Sequence, residues 1–319
     1  AAGFPEGFWN ARTHPGSRTL STGGICEDAM AGILSGVSGF GHHLGVGSSY
    51  GAFLAPLGHI AARLHGIGQQ ARRDRGEHRF DPMILVCGHA GLETGEDGPT
   101  HADPQALQLL QGNFPPGALV TLTPWEPREL WPLLTAALNA RPAVVAPFVT
   151  RPPVPILDRR ALGLAPSEAA VSGVYRLRAA RTGDGDGVVV LQGSAVTYAF
   201  VQEALPMLEA EGIDLHVYTV VSEELFDRLP PGERDRIFPP SHAARAMGIT
   251  GFTLPTMARW ITSPQGRAAT LHPFRGGRFL GSGPAAAVLI QAGLDGASQA
   301  AAIRDWLDAA AADTSPGWD

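Results

Sequence analysis

The chain has 319 residues, 44% of them hydrophobic, carries a net charge of −6, and draws all 24 of its basic residues from arginine. The absence of lysine excludes Schiff-base catalysis, pyridoxal-phosphate attachment and a P-loop lysine, and leaves anion recognition to Arg, His and backbone N–H groups. No apolar run reaches the ~18 residues of a membrane span, no basic stripe suits nucleic acid, and two cysteines, Cys26 and Cys87, make no disulfide framework.

The first residues show no charged and then apolar signal pattern, so a reduced, cytoplasmic setting is expected. The length predicts about two domains. Residues 1 to about 20, including Gly3-Phe4-Pro5-Glu6-Gly7-Phe8-Trp9, have no period and read as an irregular lead-in. Ile25 to Val37 reads as a helix with Met30, Ile33, Leu34 and Val37 on its inner stripe. Glu27 falls in its first turn, where the helix dipole favours a carboxylate. The Gly-rich stretch Gly39 to Gly51 follows. A second helix runs from about Leu54 to Gln69 with Leu57, Ile60, Ala61 and Leu64 inward. Met83-Ile84-Leu85-Val86-Cys87-Gly88 is a buried strand.

Beyond that strand lies the most polar loop of the chain, His89 to His101, which holds two His, two Glu, one Asp and three Gly. It leaves the carboxyl end of a strand, where open α/β sheets put their ligands. Asp103-Pro104 then reads as a cap and first helical position for a helix from Gln105 to Gln111. Strand Ala118–Leu122, helix Glu126–Ala140 and strand Ala143–Val149 continue an alternation that predicts a parallel sheet covered on both faces. Arg151 follows, and the Pro-rich stretch from Pro152 begins a linker running to about Pro166. A second α/β unit is expected from Val174 or Val188 onward, with a helix Val196–Glu211, a strand Leu215–Thr219 and a last helix ending near Ala311. The domains are thus drawn at 1–165 and 166–319.

Two segments resemble a known family. Gly95-Glu96-Asp97-Gly98-Pro99-Thr100-His101 is similar to the Gly-Glu-Asp-Gly-Pro-Thr-His signature of transketolases, thiamine-diphosphate enzymes that move two-carbon ketol units between sugars. Gly24-Ile25-Cys26-Glu27-Asp28-Ala29-Met30 is similar to the family's Gly-Val/Ile-Arg-Glu-His-Ala-Met segment, in the same order and at the same spacing. Gly193-Ser194 and Pro284-Ala285-Ala286 resemble places in the transketolase C-terminal domain. The resemblance implies a pyrimidine-binding thiamine-diphosphate domain followed by a transketolase C-terminal-like domain. Glu27 then matches the acid that presses a proton onto the aminopyrimidine ring, a task suited to a carboxyl kept protonated by burial. Tyr50 and Phe53 fall where the family stacks aromatics on that ring. Asp97 and His101 match groups that bind substrate hydroxyls, with His101 also assisting proton movement. His89 and Arg151 match sugar-phosphate contacts.

The family holds the cofactor's diphosphate through Mg²⁺ with a Gly-Asp-Gly motif followed by Asn. Here Gly183-Asp184-Gly185 has no Asn after it, since Asn10, Asn113 and Asn139 all lie upstream, and it reads as a turn. The resemblance therefore implies a partner polypeptide carrying the diphosphate and Mg²⁺ site, or a shortened chain, and an assembly with two copies of each subunit. Departures bear on the substrate. Cys26 and Asp28 replace Arg and His around Glu27, and Glu93 is expected to add an acid beside the phosphate-type site, repelling a dianion. Residues 174–229 also look somewhat like the homodimeric pyruvate dehydrogenase E1, which opens a variant that loads a lipoyl or carrier-protein thiol.

Other readings stay open at this point. Glu27 could be no more than a helix-start acid, Phe53 ordinary core, and Arg151 a linker-anchoring ion pair. The whole chain could be a non-catalytic partner subunit. Gly47-Ser48-Ser49-Tyr50-Gly51 fits a nucleophile elbow, which would make Ser49 a hydrolase nucleophile if a strand preceded it. His42-His43 are adjacent and suit no regular metal site, so no metal ligands are assigned within the chain.

Overall fold

The computed structural model describes residues 17, 19–20, 24–77 and 81–313. The lead-in expected before residue 20 lies almost wholly outside them. Helix α1 (Glu27–Phe40) comes first, then strand β1 (Val46–Tyr50) and the 24-residue helix α2 (Gly51–Asp74). Strand β1 was not expected, because Val46-Gly47-Ser48-Ser49-Tyr50 is no apolar run. It pairs in parallel with β2 (Met83–Gly88), from Val46 opposite Ile84 to Tyr50 opposite Gly88. A strand at the edge of a sheet is held by backbone hydrogen bonds on one side and has no need of apolar side chains on both faces.

Helix α3 (Ala106–Leu110), β3 (Leu119–Leu122), α4 (Pro127–Ala140) and β4 (Val144–Pro147) complete the first unit. Its four strands are parallel in the order β1-β2-β4-β3. The Asp103 carboxylate accepts the Gln105 N–H at 2.8 Å, so the acid closes a turn and α3 begins one residue later than expected.

The inner faces of the first two helices differ from the sequence reading. On α1 the buried residues are Glu27, Ala31, Leu34 and Ser38, with Ile33 exposed. On α2 they are Gly51, Leu54, Ala55, Gly58, Ala62, His65 and Gln69, while Leu57, Ile60, Leu64 and Ile67 are 45–59% exposed. Small residues turned inward let the helices lie close to each other and to the sheet. The large apolar side chains are left on an outward stripe, and Leu44 and Val46 are exposed as well.

The second unit opens with β5 (Val174–Arg178) and β6 (Gly187–Gln192). From Ser194 to Ala210 the chain is helical throughout, as α5 (Ser194–Ala199), a π-helical turn at Phe200–Ala204 and α6 (Leu205–Ala210). Strand β7 (Leu215–Val220) is followed by the short helices α7 (Glu223–Asp227), α8 (Pro231–Ile237) and α9 (Pro240–Ala244). Strand β8 (Ala246–Thr250), α10 (Pro264–Ala269), α11 (Ala285–Ala292) and α12 (Gly296–Asp313) end the described chain. The order is β5-β7-β6-β8, parallel except for β5, which runs against β7. Gly183-Asp184-Gly185 lies in the turn between β5 and β6.

The two units share one continuous apolar core, in which Ile84, Val120, Leu122 and Trp125 meet Tyr175, Val189, Leu191 and Phe200. Polar bonds add to it. Thr123 N–H donates to the Val221 carbonyl at 2.7 Å, and the Glu224 carboxyl accepts from the Thr121 N–H and hydroxyl at 3.1 and 2.8 Å, which covers the free edge of β3. Arg159, in the Pro-rich linker, is buried between Glu126 and Glu129 of the first unit and donates to the Tyr175 hydroxyl of the second at 3.2 Å. The linker is thereby pinned rather than free. Among the described residues no helix is long and apolar enough to cross a membrane.

Candidate active site

Parallel strands place their carboxyl ends on one edge of the sheet, and the candidate residues gather there. Tyr50 ends β1, His89 follows β2, Arg151 follows β4, and Leu92–Asp97 forms a 3₁₀ turn in the loop after β2. Tyr50 stacks on His89 with ring centroids 3.8 Å apart and meets the edge of His101 at 4.8 Å. Phe53 lies 5.1 Å from His101 and 6.0 Å from Tyr50, both edge to face. One turn of α2 separates Tyr50 from Phe53, so both rings point to the same place. Both are half-buried, leaving ring surface for a partner.

Glu27 is 7% exposed although its neighbours Cys26 and Asp28 lie in solvent. The Ser49 hydroxyl donates to its Oε1 at 2.7 Å, and among the described residues its Oε2 has no hydrogen-bond partner. A buried carboxyl with one oxygen fixed by a hydroxyl and the other open is a positioned acid, since burial without a partner is costly for a polar group. Ser49, the nucleophile of the hydrolase alternative, is placed otherwise. It lies inside β1, opposite Cys87, and its hydroxyl meets a carboxylate instead of a histidine base. His89 and Arg141 are the described non-glycine residues with positive φ, so Ser49 sits on no strained elbow. The sequence offered no signal for this contact beyond its place one residue before Tyr50, since the strand that carries it was not expected.

The polar half of the site is a loose triangle. Arg151 Nη1 donates to His89 Nε2 at 3.0 Å, and the Asp97 carboxylate stands 3.8 Å from Arg151 and 3.9 Å from His89. Since Nε2 accepts, the His89 proton sits on Nδ1, a buried atom without a partner. Burial and then the Arg151 charge hold His89 below its ordinary range, so the ring is neutral at neutral pH. Its backbone has φ +57°, a conformation costly for a residue with a side chain, which points to a constraint imposed at the site. The Arg151 side chain is 64% exposed and its fork is open to solvent. His101 Nδ1 is 2.8 Å from the Thr100 hydroxyl, which orients the ring.

Glu93 does not stand beside this triangle as the sequence suggested. Its carboxyl is buried against the second unit, and the charges that act on His89 are those of Arg151, Asp97 and His101. The loop folds back at Gly91, where φ is +81° and a Cβ would lie 2.7 Å from the Glu93 Oε2. Among the described residues no three His, Cys, Asp or Glu side chains are grouped to hold a metal ion. The aromatic pair, the positioned acid and the histidines fit the aminopyrimidine end of thiamine diphosphate. That ring has an acceptor nitrogen to meet Glu27 and a flat face to meet Phe53.

The parallel sheet with these residues at its carboxyl edge has the form of a pyrimidine-binding domain. Residues 7–154 match the family described as transketolase, pyrimidine binding domain. The chain is 30% identical to the transketolase of Geobacillus stearothermophilus over 226 residues, which are 70% of this chain and 30% of that protein. In fold it is similar to transketolase from Leishmania mexicana, with a TM-score of 0.71 and 21% identity over 89% of this chain and 37% of that one. It is also similar in fold to a split-gene transketolase, an inactive β4 tetramer, with a TM-score of 0.60 and 19% identity over 89% of this chain and 83% of that one. The chain belongs to the transketolase family through its pyrimidine-binding domain, residues 7–154. It spans about 30% of the length of the curated relatives it matches.

Proposed function

We propose that this chain is the pyrimidine-binding component of a split transketolase-like enzyme that moves a two-carbon ketol or acyl unit. The observation that carries the reading is Glu27, buried, fixed by Ser49 through one oxygen and open at the other, beside the half-exposed rings of Tyr50 and Phe53. When bound, thiamine diphosphate supplies a carbon nucleophile able to cleave and form bonds next to a carbonyl. Glu27 turns its open Oε2 to the aminopyrimidine ring nitrogen as a proton-sharing partner, and Phe53 fixes the ring's plane. His101 and Asp97 face the substrate hydroxyls, with His101 moving a proton at the substrate oxygen. His89 and Arg151 close the far end, where the Arg fork suits an anion.

A second polypeptide holds the diphosphate and Mg²⁺ in this reading. The outward stripe of Leu57, Ile60, Leu64 and Ile67 supports an assembly, because a monomer gains nothing by exposing it. So does the split-gene transketolase, a tetramer whose chain has a similar extent in fold. Two copies of this chain and two of the partner make the assembly, and the chain divides at residues 165 and 166.

The test is reconstitution with a candidate diphosphate-binding polypeptide that carries the Gly-Asp-Gly…Asn motif. By itself this chain does not retain thiamine diphosphate and Mg²⁺ in calorimetry. Together the two bind both and transfer a two-carbon unit from a ketose phosphate, with carrier-protein thiols assayed as competing acceptors. Tight cofactor binding by this chain alone overturns the split arrangement.

A further inference from the structure

The signature loop has two faces, and the site uses only one. On the other, the loop meets the second unit at three points. The Glu93 carboxyl, with both oxygens out of solvent, faces the Ser194 hydroxyl and the Ala195 N–H where α5 begins, although neither makes a hydrogen bond of full geometry with it. Gly283 N–H donates to the Gly95 carbonyl at 3.0 Å. A Cβ on Gly95 would lie 2.7 Å from the Gly283 carbonyl, and one on Gly98 would lie 2.2 Å from the Ser282 Oγ. Asp97 sits between the last two contacts, and the His101 N–H donates to the Gly98 carbonyl at 3.1 Å. Both functional side chains thus hang from backbone that the second unit supports.

We propose that Glu93 is a positioning residue which, with Gly95 and Gly98, seats the signature loop on the second unit and so fixes where Asp97 and His101 stand. The roles of Asp97 and His101 rest on the function proposed above; the seating itself does not. Burial pushes the Glu93 carboxyl up to about 7. No Arg or His acts on it. The titratable group that senses it is the Tyr198 phenol of α5, itself pushed up by burial, with Glu126, Glu129 and Arg159 acting on the same phenol. As an acid, Glu93 can donate one hydrogen bond and accept another from Ala195; as a carboxylate, it is a buried charge with no cation beside it, which the Ser194 hydroxyl and the Ala195 N–H offset only in part. Its value in the folded chain is raised above the unfolded one. The seating is therefore complete in acid and weakens as pH rises through about 7.

Hydrogen–deuterium exchange on the whole chain tests this. After correction for intrinsic base catalysis, exchange of residues 92–101 is expected to rise about 10-fold between pH 6 and 8, as the ionised fraction of a group near 7 climbs from about one-tenth to about nine-tenths. Glu93→Gln, which keeps the polar contacts and cannot ionise, should hold the loop protected and remove the rise. Glu93→Ala should speed loop exchange about 10-fold at both pH values while the β2 and β6 amides keep their protection. Native-like loop protection in Glu93→Ala, or a pH rise that persists in Glu93→Gln, overturns the proposal. Should Glu93→Ala fail to fold, the Gln variant decides alone. Exchange is read without partner or cofactor, so an assembly lacking transfer activity would count against the proposed function and leave this result standing.

Discussion

The carboxyl ends of the two sheets occupy the same topological place and have opposite fates. In the first unit that edge holds half-buried rings, an acid with one oxygen open, and an exposed arginine fork. In the second, the corresponding polar groups are turned on each other. Gln192 Oε1 accepts from the Thr250 and Thr256 hydroxyls at 3.1 and 2.7 Å, and Gly251 N–H donates to the Gln192 carbonyl at 2.9 Å, all in the interior. A strand end becomes a site only where its polar groups remain unpaired and reachable. The second unit braces the first through Ser194, which follows β6, and through Ser282 and Gly283 in the loop before α11. One edge is left open and the other is closed on itself.

That division of labour can be broken at the linker, and the largest effect is expected there. Arg159→Ala leaves Glu126 and Glu129 buried without a counter-charge, and losing one partner of such a cluster costs about 3–5 kcal/mol. Urea unfolding monitored by tryptophan fluorescence reads it; a cost under ~1 kcal/mol would show that the clasp is not what joins the units. Next comes the chemical edge itself. Glu27→Gln keeps the Ser49 hydrogen bond and removes the acid, so transfer by the reconstituted enzyme should fall at least ~100-fold with stability nearly unchanged. Activity within a few-fold of the native enzyme would assign Glu27 a purely structural part.

Smaller effects sharpen the contrast. Gly98 has φ +73°, and its Cα faces Ser282, so Gly98→Ala should cost about 1–3 kcal/mol, with Ser282→Gly recovering the part due to the clash but not the part due to backbone strain. Denaturation of the single and double variants separates the two. The least effect concerns Glu224, which burial pushes up to about 7 beside Thr121. Its folded value exceeds its unfolded one, so the chain should lose stability as pH rises from about 4.5 through about 7. Glu224→Gln, which can still accept from Thr121, should flatten that fall by about 1–2 kcal/mol. Melting temperatures of the two chains across pH 5 to 8 check it, and parallel curves would assign the loss to other groups.

The alternation of strands and helices, the place of the polar loop after β2 and the identities of Glu27, His89, Asp97, His101 and Arg151 were legible in the chain. They depend on local periodicity and on short segments whose residues are neighbours in sequence. Strand β1 was not legible, because an edge strand is stabilised by a partner far along the chain, here from Val46 opposite Ile84 to Tyr50 opposite Gly88, rather than by its own apolar pattern. The inner faces of α1 and α2 were misjudged for a related reason. A helix with two apolar stripes does not say which faces its own sheet, and here close packing chose the small residues.

Sequence by itself determined the order of the elements, the chemistry of the loop and the spacing of the acid from the aromatic pair. The tertiary structure decided which polar groups meet: it turned Ser49 onto Glu27, set Tyr50 flat against His89, and carried Glu93 away from Arg151 into the seam. Side chains far apart in the chain acquire their partners only when the sheets and helices close around them, and burial, which sets the charge of a carboxyl, exists only in the folded protein.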